Sequence, residues 1–125
     1  MRAAVLAPAQ AEVDAHDGVH TALRAAACIS LPLAFCVALA SLGGIVMPSI
    51  YARETASWAA QGIGQDWVNL LLVVPWLTGA AIATLGGSRR AALLLGGALV
   101  YTFYSYAIYA LAVHLNALFL VYCVA

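Results

Sequence analysis

Apolar residues fall along this chain in three long runs, at about 22–46, 67–85 and 91–113, that carry almost no charge. As a helix, a run of about 20 residues crosses the roughly 30 Å hydrocarbon core of a bilayer. The pattern therefore predicts an all-α integral membrane helical bundle with three transmembrane helices. A shorter run restarts at Ala117, after His114-Leu115-Asn116, and stops at Ala125. Nine helical residues cover only about 13–14 Å. A carboxylate left in hydrocarbon is costly, so 117–125 reads as a partial fourth span and the chain as part of a longer one.

The polar and helix-breaking positions divide these runs. Residues 1–21 are polar or small without a sustained period and read as a flexible N-terminal tail; 22–125 form the transmembrane domain. Pro32, inside the first span, removes a backbone donor and leaves the Cys28 carbonyl seeking another partner. Gly43-Gly44 and Met47-Pro48 close that span. Residues 48–65 read as a mixed loop, in which Tyr51 to Trp58 suits a short helix at headgroup depth. Asp66 is placed to cap the second span, with Asn69 three residues on, and Pro75 to kink it. Gly79, Ala83 and Gly87 recur every four residues, a small face that lets another helix approach closely. Gly86-Gly87-Ser88-Arg89-Arg90 is a tight basic turn into the third span.

Composition agrees with the membrane reading: 66% of the chain is hydrophobic, 8% is charged and the mean hydropathy is +0.99. The net charge of zero suggests no nucleic-acid partner. The arginines give an orientation. With the N-terminus inside, Arg2, Arg24, Arg89 and Arg90 are cytoplasmic and only Arg53 is outside, so the chain is expected to sit N-in. Cys28, Cys36 and Cys123 lie in apolar runs without metal spacing and read as small buried hydrophobes.

This topology brings the start of the second span level with the end of the third. Asp66 and Asn69 should lie near Tyr106, Tyr109, His114 and Asn116, which together form the candidate ligand-binding set. A carboxylate orienting an imidazole serves proton handling or metal ligation; the alternative reading has Asp66 as a helix cap, with His114 and Asn116 in a headgroup-level turn. The third span holds Tyr101, Thr102, Tyr104, Ser105, Tyr106 and Tyr109. Thr102, Tyr106, Tyr109 and Asn116 share one face, and Tyr101, Tyr104 and Ser105 a neighbouring one. Buried hydroxyls need partners, which a ligand pocket or interhelical hydrogen bonds would supply. His16 and His20, four apart, are a weak metal pair beside a helix-weakening Gly18. No H-E-x-x-H, P-loop or G-x-S-x-G motif occurs, so neither a catalytic residue, a metal site nor a cofactor is assigned.

Gly64-Gln65-Asp66 at a span start, Tyr101-x-x-Tyr104-x-Tyr106-Ala107 in the next, and Asn116-Ala-Leu-Phe-Leu-Val-Tyr122 after it form a pattern. It resembles a family of uncharacterised bacterial multi-pass membrane proteins, over roughly residues 64–122. The resemblance implies a bacterial inner membrane, further spans beyond this chain, and no particular activity. Three functional readings follow. The first is a structural or interaction subunit, or a sensor module, that self-associates or joins a membrane partner subunit within the lipid bilayer. The second is a small-solute transporter or ligand-binding membrane protein. The third is a membrane enzyme using Asp66 and His114.

Overall fold

The computed structural model describes residues 2–112, which form helices and short connections without a strand. Helix α1 covers Arg2–Val46, α2 covers Ala56–Val68, α3 covers Val74–Leu85 and α4 covers Arg89–Ala112. A 3-10 turn, Pro48–Tyr51, follows α1; a π-helical turn, Asn69–Val73, joins α2 to α3 without a break. Three stretches are long and apolar enough to cross a membrane: Ala15–Val46, Ala56–Leu85 and Arg89–Leu111. The partial fourth span at 117–125 lies outside the described residues.

Two boundaries differ from the sequence reading. Residues 2–21 are not an irregular tail but the first turns of α1. Six alanines in the first fifteen residues favour helix, while Pro8 and Gly18 oppose it, by about 3 and about 1 kcal/mol. The 48–65 loop is likewise mostly helix, because α2 starts at Ala56. Its cap is Thr55, whose side chain accepts from the Trp58 amide at 3.4 Å. Asp66 is thus not a cap; it lies inside the second continuous helix, about two and a half turns before Pro75. The expected interfacial helix at Tyr51 to Trp58 is replaced by the 3-10 turn, a bend and the first turn of α2.

Pro75 acts differently from a simple kink. It stands in the first turn of α3, directly after the π-helical turn, where the Val74 amide reaches back to the Asn69 carbonyl. A π turn is one of the local adjustments by which a helix accommodates a missing donor.

The helices meet through small side chains. On α1 the inward positions are Ala27, Ser30, Ala34, Val37, Ser41 and Gly44, spaced three or four apart. They face Leu77, Ala80, Ala81 and Thr84 of α3, while α3 also packs on Leu95, Ala98 and Thr102 of α4. Ala80, Ala81 and Thr84, not Gly79, Ala83 and Gly87, form the internal contact face of α3; those three point outward. Close backbone approach of this kind is how helices gain dispersion contacts when lipid is as apolar as their side chains. Three of the buried hydroxyls bond within their own helices. Ser30, Thr84 and Thr102 each donate to a carbonyl four residues back in their own helix, at 2.7, 2.7 and 2.8 Å. Cys28 is exposed on the outer surface of α1 and Cys36 half-buried, so Cys28 is not the buried hydrophobe expected from its apolar run.

At the α3–α4 junction Gly87 adopts a φ of 89°, the left-handed region open to glycine. This lets the Ser88 amide reach back to the Ala83 carbonyl at 3.1 Å, closing α3. The Ser88 hydroxyl then accepts from the Ala91 amide at 3.3 Å and opens α4. One short turn therefore sets α3 and α4 antiparallel.

Candidate functional site

The polar interior is concentrated at the end of the bundle where α1 runs into the 3-10 turn. Tyr51, at the end of that turn, points back between the helices and is 4% exposed. Its hydroxyl donates to Asp66 Oδ2 at 2.6 Å. Tyr109 of α4 joins them: its hydroxyl lies 3.1 Å from the Gly62 carbonyl, 3.5 Å from Asp66 Oδ1 and 3.5 Å from the Tyr51 hydroxyl. The Tyr109 hydroxyl donates to the Gly62 carbonyl and to Asp66 Oδ1, so its one proton is shared between the α2 backbone and the carboxylate, while its oxygen accepts from Tyr51. The cluster holds three of the four segments that meet here in register.

Two glycines make room for it. A Cβ on Gly44 of α1 would overlap the Asp66 carboxylate, and one on Gly62 of α2 would lie 2.6 Å from the Tyr51 ring. Both positions need a residue without a side chain because a carboxylate and a phenol fill the space. Burial raises the Tyr51 pKa above the ordinary tyrosine value, and its hydrogen bonds to Asp66 and Tyr109 raise it further. Tyr51 is therefore a neutral donor throughout the physiological range.

The other candidate residues sit close by. Asn69, 1% exposed, accepts through Oδ1 from Gln65 Nε2 at 3.1 Å. The second hydrogen of the same Gln65 amide goes to the Tyr101 hydroxyl of α4. Tyr106 is buried beside Tyr109, the ring centroids 5.8 Å apart. Thus Asp66 and Tyr109 are brought into one cluster, Tyr106 stacks on Tyr109, and Asn69 belongs to a neighbouring chain of hydrogen bonds through Gln65 to Tyr101. His114 and Asn116 lie outside the described residues. Tyr51, Gln65, Gly44 and Gly62 also build the site; the sequence reading places them only in a span end, a loop and the Gly64-Gln65-Asp66 motif, not among the candidate ligand-binding residues.

A cavity of about 290 Å³ opens over this cluster between α2 and α4. Five aromatic rings line it: Tyr51, Trp58, Tyr101, Tyr104 and Tyr109. Glu54 and Gln65 also line it; among the described residues no lysine, arginine or histidine does. Chemically it offers phenol and indole faces, hydroxyl and amide groups, and negative charge. Among the described residues no three His, Cys, Asp or Glu come together in a way that would hold a metal ion.

No family model matches the chain, and no curated protein or solved structure does so either.

Proposed function

We propose that this chain is a multi-pass membrane protein that binds a small organic cation in the cavity between α2 and α4. The observation that carries the reading is the lining itself: five aromatic rings and Glu54, with Asp66 bonded to the lining Tyr51 and no basic side chain among the described residues. The negative face of an aromatic ring attracts a cation, by about 0.5–2 kcal/mol per ring depending on desolvation. The volume suits a ligand near the small end of the range for such pockets. The arginine distribution supports an N-in arrangement, with this cavity on the outer side. The glycine, tyrosine and asparagine pattern supports a place in a bacterial inner membrane.

The test uses choline and its neutral isostere 3,3-dimethyl-1-butanol with the purified protein in neutral detergent, followed by tryptophan fluorescence. Choline is expected to perturb the emission and the isostere not to. Glu54→Gln should weaken choline binding several-fold. Equal responses to both solutes would defeat the cation reading. Uptake by vesicles carrying the protein then separates a transporter from a sensor module.

A second reading, an interaction subunit, is supported by the outward face of α3. Gly79 has open space where a side chain would project, and Ala83 beside it is exposed. A second helix can approach closely there. Cross-linking in native membranes tests it: a Gly79→Leu variant should lose the cross-linked species. The enzyme reading draws no support, because its histidine, His114, lies outside the described residues.

A further inference from the structure

At the opposite end of the bundle, α1 and the α3–α4 turn enclose a second cavity of about 690 Å³. His16, His20 and Arg24 project into it from α1, spaced four apart and so on one face. Arg89, the first residue of α4, lines the other side; its Nη2 lies 3.3 Å from His16 Nε2. The two imidazole rings lie 4.5 Å apart, centroid to centroid. Among the described residues no carboxylate lines the cavity. The remaining wall is apolar and includes Leu23, Leu85 and Leu93.

We infer that this cavity binds a phosphate group, held between Arg24 and Arg89 with His16 and His20 as further donors. Two guanidinium forks, with no carboxylate beside them among the described residues, match phosphate oxygens in charge and geometry. The first turn of α4 opens onto the same space, since Ser88, Arg89 and Ala92 all line it. Amides at a helix start carry partial positive charge, which adds to the side-chain donors. A metal ion is disfavoured on the same geometry: only two imidazoles are present, and the Arg89 guanidinium occupies a nitrogen of one of them. The position explains why a helix longer than a bilayer is useful. Ala15–Val46 has 32 residues, or about 48 Å of helix against about 30 Å of hydrocarbon. His16, His20 and Arg24 therefore stand at and beyond headgroup depth. The phosphate can come from a phospholipid headgroup, whose chains would lie along the leucines, or from a soluble phosphate.

Binding is measured by the thermal unfolding midpoint and by native mass spectrometry of the full chain in neutral detergent. The probes are short-chain phosphatidylglycerol and, separately, inorganic phosphate against chloride of equal ionic strength. Binding of the lipid alone identifies a headgroup site, binding of inorganic phosphate alone a soluble-phosphate site, and binding of both a site for the group itself. Loss of a charged hydrogen-bonding partner weakens binding about tenfold, so Arg24→Gln and Arg89→Gln should each do so. Arg24→Lys should retain much of the affinity, which separates lost charge from lost folding. Arg53→Gln, at the far end, should leave binding unchanged. The inference is overturned if neither probe binds, or if both glutamine variants bind as the parent does.

Discussion

The Tyr51 hydroxyl donates to Asp66 Oδ2 across 2.6 Å, and this bond ties the connection after α1 to the interior of α2. Both groups are buried, at 4% and 3% exposure. A hydrogen bond to a charged group contributes about 1.5–3 kcal/mol, and removing one partner leaves the other unsatisfied. Tyr51→Phe keeps the ring and deletes the donor. It should lower the thermal unfolding midpoint in detergent, and Asp66→Ala should lower it at least as much. An unchanged midpoint in both variants would mean that the cluster does not contribute to stability.

The same bond has a pH signature. The folded-state pKa of Tyr51 is raised above its ordinary value of 10.0. The folded protein therefore holds the phenolic proton more tightly than the unfolded chain. Its contribution is fully present below about pH 10 and is lost as the pH rises further, towards the folded-state pKa. Unfolding midpoints should fall more steeply above pH 10 in the parent than in Tyr51→Phe. Parallel curves would contradict this.

Two glycines should respond alike and a third differently. Gly44→Ala and Gly62→Ala place a methyl group against Asp66 and Tyr51, and overpacking of this kind costs about 1–3 kcal/mol. Gly79 has nothing within 4 Å of its would-be Cβ. Gly79→Ala should be neutral or stabilising by up to about 1 kcal/mol from helix propensity. Denaturation of the three variants side by side decides the matter.

Topology can be read with single cysteines in a background lacking the native ones. Arg53→Cys lies in the connection between α1 and α2, and Arg90→Cys at the start of α4, at opposite ends of the bundle. A membrane-impermeant maleimide should label the first in intact cells and the second only after lysis. The reverse result would invert the N-in arrangement.

Much of the helical architecture is legible in the sequence because apolar run length is a local property. A segment such as 91–113 has no alternative to helix if it enters lipid, where every backbone group must be satisfied within the segment. The grouping of Thr102, Tyr106 and Tyr109 on one face follows from helical periodicity alone, and all three are buried together. The start of α2 was less legible. Gly62 and Gly64 suggest a loop, yet Gly62 is inside a helix because the Tyr51 ring needs its empty side. That requirement comes from a residue eleven positions away and leaves no periodic trace.

The sequence by itself determined that three apolar helices form, which residues share each face, and where basic residues mark the ends. These depend on composition and on a repeat of 3.6 residues, both readable over short windows. Only the tertiary structure decided that α3 packs through Ala80, Ala81 and Thr84 while Gly79 and Ala83 face outward. Small residues are equally fit for either face, so their placement depends on the rotation each helix adopts against its neighbours. The tertiary structure likewise decided that Asp66 is an interior acceptor for Tyr51 and Tyr109 instead of a cap. Its partners are 15 and 43 residues away, and a carboxylate's role is set by the donors that packing brings within reach.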